Sequence, residues 1–487
     1  MPGSGRLHGN TPRGRAQARA RRENEGRFGW LFPKLPPLAP YPPERLGAAA
    51  ESLREVEQPG AVPGGWSSQN PQPPEGDNPA IPAGFTYFGQ FVDHDITFDA
   101  TSRLGTYADP DATTNFRTAR FDLDSLYGSG PTDEPFQYEQ PADGVDLATA
   151  APAGRLLLTT TPSGEFDLPR NTQGVALIGD PRNDENGIVS QLQVVFIRFH
   201  NRVFDELVAA GAIPSDAVFD EARRIVRWHY QWVVVHDFLR RICGGDVVDG
   251  LFAPDPTSGL PSFDLDFYVL KPKQEPFLPV EFSVAAYRFG HSQVRAGYRL
   301  SETIERPTFV PGDADPTADL RGKPLLPQWG VEWPRFLEMG GGELQPSRLI
   351  DGKISEPLFD LPRLPPQEQQ SLPVRNLQRG QDFGLPSGQD VARQLGVKPL
   401  SGAEIGTDLD PTPLWLYVLL EARRATGGQR LGPVGARIVA ETILGLLAYD
   451  PSSFAVREPG WTPTIPGTAG ADGTFGLADL VRHATGG

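Results

Sequence analysis

The side chains best able to do acid-base or metal chemistry here are seven histidines: His8, His94, His200, His229, His236, His291 and His483. His229 and His236 share an apolar stripe with Val218, Ala222, Ile225, Trp232 and Leu239, so they read as core or capping histidines with backbone partners. His8 and His483 fall in terminal segments, which leaves His94, His200 and His291. In GFTYFGQFVDHDITF, Phe85, Phe88 and Val92 recur at helical spacing, and Gln90 stands one turn before His94. Gln90 and His94 can therefore address one substrate, while Asp93 and Asp95 are each turned by about 100° toward other surroundings. The competing reading is an exposed acidic turn. A zinc site would need a ligand spacing and a cysteine set that this segment lacks.

Three further segments carry polar groups at three-residue offsets. In LIGDPRNDENG, Arg182 and Glu185 share a face if the following helix reaches back to them, and a buried arginine there would stabilise negative charge developing on oxygen. Taken alone, the segment reads better as a loop whose acids suit a helix dipole. In AYRFGHS, Arg288 precedes His291 by one turn, a pair suited to an anionic metal cofactor: the imidazole takes the metal and the guanidinium a carboxylate. In LPVRNLQRGQDFGLP, Asn376 could offer its carbonyl to the far nitrogen of a ligating imidazole, with Arg379 beside it. Finally, RTARFDLDSLYGS places Thr118, Arg120, Asp122 and Asp124 on one side. Their hydroxyl, carbonyl and carboxylate oxygens suit a hard cation such as calcium, although a polar turn is the commoner use of such residues.

The elements that must hold these groups are helical. Val189, Leu192, Phe196, Phe199, Val203 and Leu207 mark a helix over 189–211 buried on one side. A second runs from about Asp216, with Ser215 or Asp216 as N-cap, to Cys243, where Gly244-Gly245 stops it. Two more are TPLWLYVLLEARRATGG and GPVGARIVAETILGLLAYD. Residues 28–82, dense in Pro and Gly from about 31 onward, read as an extended arm, and the Pro-rich stretch 305–370 as surface loops with short helices. Strand patterns are scarce. The expected class is mainly α, a large single helical domain over 28–487 with very little β and a basic, disordered tail over 1–27.

Composition narrows the partners. A formal charge of −16 disfavours nucleic acid, because an acidic surface repels phosphates. The lone Cys243 cannot form an internal disulfide. No run of about 18 uncharged apolar residues is present to span a bilayer, and the first residues lack the apolar core of a signal peptide. Cytoplasm is the default location, with leaderless export left open.

Taken in order, GQFVDHDITF, TARFDLDSLYGS, GDPRNDENG followed by FIRFHNRV, AYRFGHS, NLQRGQDFGLP and RLGPVGARIVAETILGLLAYDP resemble the animal-type haem peroxidase superfamily, the myeloperoxidase- and peroxidasin-like proteins, and in particular its bacterial, disulfide-free members. The resemblance implies haem b, with His94 as distal base, Gln90 its neighbour, Arg182 the distal arginine and His291 the proximal ligand held by Asn376. It places Arg288 and Arg379 near the propionates, makes Asp93 and Glu185 ester links to the haem, and builds a Ca2+ site from Asp95, Thr118, the carbonyl of Arg120, Asp122 and Asp124. It implies hydrogen peroxide as acceptor and a halide, thiocyanate or aromatic donor. Three positions depart from the family. Asn186 replaces the methionine of a third haem link, Phe199 stands in the Arg-Glu-His-Asn helix and leaves His200 structural, and Gln381 replaces a second arginine. Two rivals remain. A fatty-acid dioxygenase of the same superfamily needs a tyrosine where Arg288 stands, with Tyr287 one place off. The other is a calcium-stabilised binding or adhesion protein without haem.

Overall fold

The computed structural model describes residues 27–55, 72–99, 108, 113–140, 154–255, 257–310, 316–321, 329–362 and 368–486. The basic tail before Arg27, with His8, and residues 56–71 of the arm lie outside them. The described chain is mainly α, with five small two-stranded sheets. Its longer helices are α1 (Pro43–Glu51), α2 (Gly84–Ile96), α3 (Gly187–Ala210), α4 (Val218–Val233), α5 (Leu372–Asp382), α6 (Leu414–Thr426), α7 (Pro433–Ala448) and α8 (Leu477–Thr485). None of the described helices is long and apolar enough to cross a membrane.

The helix α3 starts where Asn186 accepts hydrogen bonds from the Ile188 and Val189 amides and ends at Gly211, whose φ of 59° closes the last turn. It is more deeply placed than a one-sided stripe implies: from Gly187 to Ile197 every residue is buried, among α2, α4 and α8. The stretch expected from Asp216 to Cys243 is one continuous element, but neither Ser215 nor Asp216 caps it by a side-chain bond. It passes through a π-helical segment, Val234–Leu239, before Gly244 stops it at φ 95°.

Aromatic packing fixes α2. Phe91 stacks on Phe196 of α3 at 4.6 Å, and Phe88 meets Tyr230 and Phe238 edge-on. Phe88 and Phe91 are fully buried, each contributing about 2–3 kcal/mol. Gly84 is needed at the start of α2 because a Cβ there would lie 2.6 Å from the Phe336 carbonyl.

The arm is less extended than its Pro content suggests. Pro43 occupies the first turn of α1, and Leu46 and Ala50 bury one face of it. Phe28–Gly29 pairs in parallel with Leu278–Pro279, and the buried carboxylate of Glu281 accepts from the Leu31 and Phe32 amides at 3.0 and 2.9 Å. This clasp ties the arm to the segment that leads to His291. Glu281→Ala leaves two buried amides unpaired and is expected to cost about 2–4 kcal/mol, read as a lower denaturation midpoint at an unchanged slope. The stretch 305–370 is not surface loop throughout: Trp333, Phe336, Leu337, Ile350 and Ile354 are buried in the main core. Irregular backbone there is compatible with burial because short strands and 3-10 turns satisfy it, as in the antiparallel pairing of Pro346–Arg348 with Asp77–Pro82 just before α2.

Candidate active site

One cavity of about 760 Å³ lies between α2 and the segment around His291. Gln90, Asp93 and His94 line it from α2, Arg182, Glu185 and Asn186 from the turn before α3, and Arg288, His291 and Arg379 from segments later in the chain. Sequence positions separated by nearly 300 residues are thus brought to one space.

His94 is 5% exposed and its Nδ1 lies 2.8 Å from the Asn183 Oδ1. The Asn183 amide nitrogen donates to Gln193 at 2.9 Å, which turns its oxygen toward the imidazole. That arrangement places the ring proton on Nδ1 and leaves Nε2 as the basic nitrogen, 3.8 Å from a Glu185 carboxylate oxygen. Burial and the nearby Arg182 guanidinium lower the His94 pKa to about 3, so the ring is neutral at ordinary pH. Glu185 also accepts from Gln90, whose oxygen takes a bond from Asn186 at 3.3 Å. Asp93 is held above the usual carboxylate range by burial, against the opposing pull of Arg182 and Arg288.

Arg182 sits in a 3-10 turn, Pro181–Asp184, opened by Asp180. Its guanidinium donates to the carbonyls of His94 (2.9 Å) and Thr97 (2.6 Å), pairs with Asp180 (2.8 Å) and lies over the Phe98 ring. A cation so fixed needs no reorganisation when charge appears in front of it.

On the other side, His291 occupies a single helical turn, Gly290–Gln293, after a π and a 3-10 turn. The indole of Trp415 on α6 supports the segment by donating to the Arg288 carbonyl at 3.3 Å. Burial and Arg288 lower the His291 pKa to about 3, leaving a neutral ring fit to bind a metal. Asn376 does meet His291, at 2.8 Å, but with its amide nitrogen on Nδ1, while its oxygen accepts from Arg288 at 3.2 Å. The expected carbonyl contact is therefore reversed, because the neighbouring guanidinium takes the oxygen. Arg288 donates to two neutral oxygens, the Ser283 carbonyl and the Asn376 side chain, and burial together with Arg379 lowers its pKa to about 10. A cation in that state favours an anionic group in the cavity. Arg379 reaches the cavity wall but is paired with Asp99 at 2.7 Å.

Asp95, Asp122 and Asp124 converge, each with a carboxylate oxygen within 4.8 Å of the others. Leu123, between the last two, is a non-glycine residue in the left-handed region (φ 56°), a conformation costing about 1–2 kcal/mol. It turns both acids inward and sends its own amide to Asp95. Thr118 donates to Asp122 at 2.9 Å, and the Arg120 side chain points away toward Glu275 and Asp450. Burial and the two neighbouring carboxylates raise the Asp95 pKa well above its ordinary value.

His200 is held between the Tyr127 hydroxyl and the Gly154 carbonyl, away from the cavity. His229 has the backbone partner expected, Ile225, whereas His236 stacks on Trp232 and pairs with the Asp472 carboxylate instead. Four participants carry no mark in the sequence: Asn183, Gln193, Arg117 and Asp180. Asn183 and Gln193 orient His94, and Arg117, 1% exposed, bonds Asp180 and Asp124. Asn183 falls off the three-residue offset that relates Arg182 to Glu185, and Arg117, next to Thr118, carries no pattern of its own.

The animal haem peroxidase family model matches residues 99–411, and the chain belongs to that haem-binding family. The match begins after His94, so the α2 residues join the site through the geometry above. Human thyroid peroxidase is 29% identical over 317 residues, covering 60% of this chain and 31% of that protein. Chorion peroxidase of Drosophila melanogaster is 29% identical over 339 residues, covering 66% of this chain and 39% of that protein. The chain therefore spans between about a third and two fifths of the length of these relatives. Peroxidase A from Dictyostelium discoideum shares the fold, with a TM-score of 0.64 at 16% identity over 95% of this chain and 93% of that one. A fatty acid alpha-dioxygenase of Arabidopsis thaliana also shares it, with a TM-score of 0.58 at 14% identity over 94% and 77% of the two chains.

Proposed function

We propose that this chain is a haem peroxidase that reduces hydrogen peroxide and oxidises a small halide or thiocyanate anion or an aromatic donor. The observation that carries the reading is that one cavity is lined by His94, Arg182 and His291 together. Its volume of about 760 Å³ lies within the usual range for cofactor sites, and the poorly neutralised Arg288 fits a carboxylate-bearing macrocycle. Bound haem supplies the iron at which peroxide is reduced and donors are oxidised. His94 Nε2 takes the proton from one peroxide oxygen and returns it to the other, while Arg182 stabilises the negative charge of the parting oxygen. His291 would hold the metal through Nε2, which would put its proton on Nδ1. Asn376 must then present its oxygen to that proton and give up Arg288, whose guanidinium becomes free to bind a haem carboxylate.

Asp93 and Glu185 both line the cavity, which supports them as ester-forming groups. The calcium reading is supported by charge. Asp95, Asp122 and Asp124 bring three carboxylates together, of which Asp124 pairs with Arg117, and a divalent cation among them would offset their mutual repulsion. Thr118 and the carbonyl of Arg120 complete the oxygen set proposed around it.

The fatty-acid dioxygenase reading is not favoured: Arg288 holds the critical position, and the hydroxyl of Tyr287 donates to the Gly89 carbonyl at 3.1 Å. The test is to mix haem-loaded protein with peroxide and either an aromatic donor or bromide. Donor oxidation that requires peroxide supports the reading; oxygen uptake with a fatty acid and no peroxide turnover would contradict it. After peroxide treatment, acid-acetone extraction is expected to leave haem on the protein, and complete removal counts against both ester links.

A further inference from the structure

We infer that a buried relay, Asp124, Arg117, Asp180 and Arg182, couples the cation site to the reaction cavity, with Arg117 and Asp180 acting as positioning residues for the Arg182 guanidinium. The inference rests on the haem peroxidase reading above. Arg117 donates from Nη1 to Asp124 at 3.1 Å and from Nε and Nη2 to one oxygen of Asp180 at 3.0 and 2.5 Å. That same Asp180 oxygen accepts from Arg182 Nη2 at 2.8 Å, and its other oxygen from Arg182 Nε at 3.1 Å. Side-chain exposure is 8% at Asp124, 1% at Arg117 and 0% at Asp180, rising to 22% only at Arg182, the member that reaches the cavity. Water therefore screens the relay little along its length.

The backbone locks the same two loops together. A Cβ on Gly179 would stand 2.2 Å from the Ser125 carbonyl oxygen and 2.8 Å from that of Asp124, so only glycine lets the Asp180 turn lie on the cation loop. The coupling has a definite sign. With a divalent cation bound, Asp124 is partly neutralised and Arg117 stays on Asp180, which shares its charge between two guanidiniums. Without the cation the triad draws Arg117, and Asp180 pairs more fully with Arg182. The guanidinium is then held back from an anion in the cavity.

The test measures cyanide affinity of the haem-loaded protein by the change in haem absorption, with calcium present and after chelation, and calcium affinity of the same samples by titration calorimetry. Chelation is expected to weaken cyanide about tenfold, and cyanide to tighten calcium by the same factor, because coupling between two sites is reciprocal. In Asp180→Asn the factor should fall toward one while haem stoichiometry is retained. Asp237→Asn breaks a buried pair with Arg241 outside the relay and should keep the wild-type factor. A wild-type cyanide affinity indifferent to calcium, or full coupling in Asp180→Asn, overturns the relay. If Asp180→Asn does not fold, the wild-type comparison and Arg117→Lys decide it on the same criterion. Failure to bind haem at all is a separate result, which removes the peroxidase reading and the relay's function with it.

Discussion

His94→Ala is expected to keep its haem and to react with peroxide about 10²–10⁴ times more slowly than the wild type, the range associated with loss of a positioned acid-base group. The reason lies in the chain Gln193, Asn183, His94, which places the basic nitrogen of a neutral ring at the cavity. Stopped-flow mixing under pseudo-first-order peroxide is the measurement. Rates within a factor of about three of wild type would remove His94 from the mechanism. The depressed pKa of about 3 adds a second signature. A histidine titrating at its ordinary value near 6.5 would lose its basic form about 25-fold between pH 7 and 5. Here the folded-state pKa lies below that window, so the peroxide rate is expected to stay flat across it and to fall only as the pH approaches about 3. Asn183→Ala should give a smaller loss, since it frees the ring without removing the base.

His291→Ala is the other change of large effect. Of the histidines lining the cavity, His291 alone lies on the side that also carries Arg288, Asn376 and Arg379, the groups suited to carboxylates and to the far imidazole nitrogen. Removing its ring takes away the metal ligand and leaves Asn376 facing a void. Haem stoichiometry should drop from one per chain to background. Haem binds only the folded state, so a hundredfold excess over its dissociation constant stabilises the wild type by about 2.7 kcal/mol, and the variant should lose that increment. Denaturation midpoints with and without haem test it: equal shifts in both proteins would show that the iron is held elsewhere.

Much of the site was legible because helical spacing carries position. Gln90 and His94 fall one turn apart on α2, and the acids of RTARFDLDS alternate toward one side, as the structure places them. What escaped lies where no period operates. Asn183 sits in a 3-10 turn inside a polar loop, and its bond to His94 spans 89 residues. The reversed amide of Asn376 depends on competition from Arg288, a tertiary matter that residue types alone do not decide. The π-helical segment Val234–Leu239 keeps the apolar pattern of an ordinary helix, so nothing in the sequence marks it. Pro density in 305–370 signals surface loop, whereas Trp333 and Phe336 drive their part of it into the core, where their burial outweighs the irregular backbone.

The central claim is that one imidazole, His291, holds a haem iron in the cavity that His94 serves from the opposite side. A haem titration followed by absorption, run in parallel on wild type and His291→Ala, tests it most directly. The account predicts saturation at one equivalent with the spectrum of an imidazole-ligated iron for the wild type, and no such spectrum for the variant. A wild-type protein that stays colourless, or a variant that takes up haem with an identical spectrum, would contradict it.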